Sequence, residues 1–74
     1  MPFEYTTDGG VLRLLGTRYQ WTIEFNGRRC GRWASPDNAV TAAARHATGL
    51  PDWDNTLLLV PDDLLSWRPI GDNL

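Results

Sequence analysis

The run Tyr19-Gln20-Trp21-Thr22-Ile23-Glu24-Phe25 alternates large apolar and polar residues without a break, and Asn26-Gly27 follows it at once. Alternation puts every second side chain on one face of a strand, and β-formers at those positions predict a half-buried strand with Tyr19, Trp21, Ile23 and Phe25 inward. Asn-Gly tolerates left-handed backbone at both positions, the strongest short-range signal for a hairpin. A chain organised around this feature is committed to an antiparallel sheet with one dry face.

The return strand spans about residues 28–34, and two registers compete for it. A two-residue turn pairs Phe25 with Arg28, Ile23 with Cys30 and Trp21 with Arg32, which turns Trp33 out to water. A three-residue loop with Gly27 left-handed pairs Glu24 with Arg28, Thr22 with Cys30 and Gln20 with Arg32, and brings Trp33 inside beside Tyr19 and Trp21. Burial of an indole at about 25 cal/mol per Å² favours the second register. On that reading Trp33→Ala costs roughly 3–5 kcal/mol.

Two further strands precede the hairpin, about residues 3–6 and 11–15, joined by a tight turn at Thr7-Asp8-Gly9-Gly10 and closed by Gly16. After it, Ser35-Pro36-Asp37 supplies an N-cap hydroxyl, a proline at the first helical position and an acid at the positive end of the dipole. Ala39, Val40, Ala43, Ala44 and Ala47 form one apolar face, so a helix is expected over about 36–48 with Gly49 as its left-handed stop. Residues 51–55 read as loop and 56–60 as an edge strand or extended segment. Pro61-Asp62-Asp63 opens a short helical turn that closes near Trp67. The expected fold is α+β: an antiparallel three- or four-stranded meander, one main helix packed on one face, and a short C-terminal helical turn. Trp21, Ile23, Trp33, Val40, Ala43 and Leu64 are the expected core.

With 74 residues there is room for one small domain. The longest aliphatic run, Leu57-Leu58-Leu59-Val60, is far short of the roughly 20 residues a membrane span needs, and no secretory pattern opens the chain. Cys30 is the single cysteine, so no internal disulfide forms and a reducing cytoplasm is the expected setting. All seven basic residues are arginine. Residues 1–46 carry six of them against four acids, whereas 47–74 carry one against five. The net charge of −2 runs against a dedicated nucleic-acid binder.

Chemistry-bearing patterns are sparse. One Cys and one His cannot build a four-ligand zinc site, and Asp62-Asp63 reads as helix capping. His46 falls in the last turn of the helix, Ser35 serves as a cap and Cys30 lies mid-strand, so no nucleophile, base and orienting acid converge. Neither enzyme activity nor a metal or cofactor is expected. The arginines Arg13, Arg18, Arg28 and Arg32 form a candidate nucleic-acid face on the open side of the sheet, with Glu24 among them. A solvated face laced with cross-strand ion pairs is the simpler expectation for it. In the C-terminal third, Leu57, Leu65, Trp67 and Ile70 form a candidate partner surface, an aromatic anchor with an acidic rim. The favoured functional reading is an accessory or regulatory module that acts by protein contact, with a homodimer as its simplest form.

Two resemblances accompany these readings. The elements Trp21-x-Ile23, Gly27-Arg28, Gly31-x-Trp33-x-Ser35-Pro36-x-x-Ala39, His46-x-Thr48-Gly49, Trp53-Asp54 and Val60-Pro61-x-x-Leu64-x-x-Trp67 resemble a set of short bacterial proteins that have no assigned activity. That resemblance spans about residues 19–67 and implies a fold only. The order of strands and helix over about 11–48, with arginines on the open sheet face, is similar to the DNA-binding domains of plant Apetala-type factors and phage integrase arms. Those domains lay the sheet in the major groove, which for this chain is an analogy of fold.

Overall fold

The computed structural model describes residues 2–70. Four strands follow one another as an antiparallel meander: β1 (Phe3–Thr7), β2 (Gly10–Thr17), β3 (Gln20–Phe25) and β4 (Arg28–Trp33). A two-residue strand, β5 (Arg68–Pro69), returns to the free edge of β1, which gives the sheet order β4-β3-β2-β1-β5. This fifth strand carries no signal of its own in the sequence; its pairing is supplied by Phe3 and Glu4. The α+β expectation is correct.

One face of the sheet holds the core. Leu12 and Leu14 of β2 stand opposite Phe25 and Ile23 of β3, and all four are buried. Helix α1 (Pro36–Ala44) lies over this face and buries Ala39, Val40 and Ala43 against it. Ser35 caps α1 as expected, its Oγ accepting from the Asn38 N–H at 3.1 Å. The helix ends earlier than Gly49. His46 adopts φ 55°, its N–H donates to the Ala43 carbonyl, and the Ala47 N–H donates back to the Ala42 carbonyl. That pair of bonds is a Schellman stop with histidine at the position glycine normally holds. Gly49, also left-handed at φ 87°, belongs instead to the loop leading into a second short helix, α2 (Pro51–Asp54), where the sequence predicted loop.

The hairpin β3–β4 departs from the favoured register in an instructive way. Near the turn the two-residue form prevails: Asn26 and Gly27 have φ 52° and 89°, and Phe25 pairs with Arg28 and Ile23 with Cys30. A bulge then inserts one residue in β4, so Trp21 pairs with Trp33 rather than Arg32. Trp33 therefore shares the core face with Trp21, as expected, but by a bulge and not by a longer loop. Both the favourable turn and the burial of the second indole are obtained. Trp33 and Leu64 are half-buried rather than buried, and Tyr19 is 76% exposed, outside the core it was assigned to. Gly16, read as the end of β2, lies within the strand opposite Trp21.

Gly31 makes the bulge feasible. Its φ is 83°, and a Cβ there would fall 2.1 Å from the Trp33 ring. Gly31→Ala is expected to destabilise by about 1–3 kcal/mol, from left-handed strain plus displacement of the indole. Urea denaturation checks this; an unchanged midpoint would show that β4 can re-register without loss.

Candidate functional site

The C-terminal third is anchored by one carboxylate. Asp54, at the end of α2, accepts from the Thr48 N–H (3.0 Å), the Thr48 hydroxyl (2.8 Å) and the Gly49 N–H (2.9 Å). The same Thr48 hydroxyl accepts from the Leu50 N–H at 3.1 Å. This clamp folds residues 48–54 into a closed loop and drives Trp53 into the core. There its indole N–H donates to the Ala43 carbonyl at 2.9 Å, its ring meets Phe25 edge-on at 5.3 Å, and His46 stacks on it at 4.8 Å. Burial alone would raise the Asp54 pKa. The hydrogen bonds from Thr48 and Gly49, with the charge of His46, outweigh it and hold the carboxyl below its ordinary value.

Beyond the clamp the chain runs extended. Leu58 and Val60 pack on the core, and the alternate residues, Leu57 and Leu59, point the other way. Leu57 is 95% exposed and Leu59 82%. Among the described residues no backbone–backbone hydrogen bond involves Leu57, Leu58, Leu59 or Val60. A turn of 3-10 helix (Leu64–Ser66) follows, where the Asp63 carboxylate caps the Leu65 N–H at 3.2 Å and Leu65 is left 93% exposed.

The four residues of the expected partner surface thus divide. Leu57 and Leu65 are exposed. Trp67 is 2% exposed, its indole N–H donating to the Pro61 carbonyl and its ring 5.7 Å from Tyr5, so it closes the core and offers nothing to a partner. Ile70 is half-buried where its N–H donates to the Pro2 carbonyl. Leu59 joins Leu57 outside, and the uniformly apolar run Leu57-Leu58-Leu59-Val60 held no alternation that could have placed it there.

The arginines also divide. On the open face a ladder of opposite charges crosses all five strands: Arg68, Glu4, Arg13, Glu24 and Arg29 stand directly opposite one another in turn. Arg13 reaches Glu4 at 3.5 Å and Glu24 at 3.4 Å, Arg29 reaches Glu24 at 3.7 Å, and Arg68 pairs with Glu4. The Arg68 hydrogen bond does most to hold the Glu4 carboxyl below its ordinary range. Arg28 is not on this face. It stands opposite Phe25 on the helix side and pairs with Asp52 of α2 at 3.2 Å. Arg18 is in the β2–β3 turn with φ 50°, and Arg32 is at the bulge. The structure therefore does not gather Arg13, Arg18, Arg28 and Arg32 into one basic surface.

His46 keeps its Nε2 buried without a hydrogen-bond partner, and Cys30 is a half-buried thiol on the core side of β4. Among the described residues no three His, Cys, Asp or Glu side chains cluster as a metal ion needs, and no helix is long and apolar enough to cross a membrane. No family model, curated protein or solved structure matches this chain.

Proposed function

We propose that the protein is a small accessory or regulatory module of the cytoplasm that acts by protein contact, and that its first partner is a second copy of itself. The observation that carries this reading is the near-complete exposure of Leu57, Leu59 and Leu65 in a domain with so little apolar surface to spare. Among the described residues the extended segment bearing two of them makes no backbone–backbone hydrogen bond, and its Leu58 N–H has only the Thr56 hydroxyl at 3.4 Å, so its backbone is open to strand pairing. The segment itself is uncharged: residues 55–61 contain no ionisable side chain, with Asp54 and Asp62 at its two ends. The free edge of β4 differs, because Arg28, Arg29 and Arg32 would face their own kind there. Self-pairing of the leucine segment would also enlarge a core that is small for an unstapled domain. The lone, half-buried thiol suits a reducing compartment.

Sedimentation velocity over a concentration series tests the reading. The protein should pass from monomer to dimer. A chain carrying Leu57→Asp and Leu59→Asp should stay monomeric at every concentration, with its near-ultraviolet tryptophan signal intact. A wild-type chain that remains monomeric throughout removes the homodimer.

A further inference from the structure

The bulge in β4 has an effect on the opposite side of the sheet. Thr22 on the open face has no single partner across the hairpin, because the register shifts between Trp21 and Ile23 and sets Gly31 and Arg32 against it. Gly31 and Arg32 both border a concavity of the open face at that point. The concavity measures about 450 Å³ and is bordered by Leu15, Thr17, Gln20, Thr22, Arg29 and Arg32. That volume falls within the range of small-molecule sites.

The chemistry of the lining is one-sided. Two guanidinium groups border the hollow and no carboxylate does. Among the described residues Arg32 has no ion-pair partner, and Arg29 has only Glu24, at 3.7 Å and already shared with Arg13. Thr22 donates its hydroxyl proton to the Cys30 carbonyl at 3.0 Å, which leaves Gln20 and Thr17 as the neutral donors beside the arginines. Leu15 supplies an apolar floor. The bulge is held in place by the Trp33 ring, which fills the space a side chain at 31 would need, so the two β4 arginines flank a fixed backbone.

We propose that this hollow is a binding site for a small organic anion, a carboxylate or phosphate group joined to a compact apolar body. The oxyanion pairs with Arg32 and Arg29, where charge-assisted and bidentate hydrogen bonds are strongest, and the apolar body rests on Leu15. The site is independent of the leucine segment, so it stands or falls apart from the homodimer.

Amide-resolved NMR titration of the whole chain tests it, with benzoate and phenyl phosphate as probes and benzyl alcohol as the neutral control. Both anions should shift the Thr22, Gly31 and Arg32 amides saturably, and the tighter of the two identifies the headgroup. Arg32→Ala should weaken binding by about tenfold, whereas Arg45→Ala on the helix should leave it unchanged. Absence of saturable shifts with either anion overturns the proposal. So does equal binding of benzyl alcohol, or an Arg32→Ala chain that binds as well as the wild type.

Discussion

Trp53→Ala should leave the chain largely unfolded at room temperature. Trp53 is wholly buried, and truncation removes an indole that joins three separate parts of the molecule: α1 through the Ala43 carbonyl, β3 through Phe25, and the helix stop through His46. Large-to-small replacement of a buried aromatic costs about 3–5 kcal/mol, and the Ala43 carbonyl keeps only the His46 N–H as a donor. A domain of this size has a net stability of similar magnitude. Circular dichroism with urea titration reads the result directly. Trp33→Ala is the control: its ring is only half-buried, so the loss falls below the range that the sequence pattern suggested for it. A Trp53→Ala chain with a cooperative transition near the wild-type midpoint would show that the C-terminal third is held by something else.

The second large effect is expected at Asp54. Asp54→Ala strips the hydrogen-bond partners from the Thr48 N–H and hydroxyl, in a residue that is itself buried, and from the Gly49 N–H. Charge-assisted bonds of this kind, with the cost of leaving buried donors unpaired, amount to about 2–4 kcal/mol. The same clamp makes the fold acid-sensitive. Because folding lowers the Asp54 pKa, the unfolded chain binds the proton more readily. The stabilisation is therefore complete above the ordinary aspartate value of 3.8 and is lost as the pH falls through the depressed folded value. Glu4, lowered through Arg68 and Arg13, adds to the same acid limb below its ordinary 4.5. Stability measured from pH 7 downward should fall over that window in the wild type, and the Asp54→Ala chain should show a shallower fall. Equal slopes for the two would remove Asp54 from the account.

The Arg68–Glu4–Arg13–Glu24–Arg29 ladder shows why a count of arginines misleads about function. Six of the seven lie in the first 46 residues, which looks like a basic half. Cross-strand pairing places two acids between three of the arginines, and a fourth, Arg28, turns to the helix side. Alternating signs directly opposite one another stabilise a sheet modestly and leave little net field to steer a polyanion. The arginines outside these pairs, Arg18 in the β2–β3 turn, Arg32 at the bulge and Arg45 after α1, sit on separate elements.

Local chemistry was sufficient for much of this molecule. Period-two alternation and Asn-Gly determined the β3–β4 hairpin and its turn, and Ser35-Pro36 determined where α1 begins, because each of those outcomes depends on neighbours within a few residues. The bulge at Gly31, the stop at His46, the fifth strand and the division of the C-terminal leucines were decided only in three dimensions. At Gly31 the competition lay between a turn preference and burial of Trp33 against Trp21, and an inserted residue satisfied both. At His46 the left-handed backbone is held by a ring stacked on Trp53, seven residues further along the chain. Leu57-Leu58-Leu59-Val60 is uniformly apolar, so composition says nothing of which side faces in. That choice was made by the core already built from the sheet, α1 and two buried indoles, Trp53 and Trp67, which had room for Leu58 and Val60 and left Leu57 and Leu59 to the solvent.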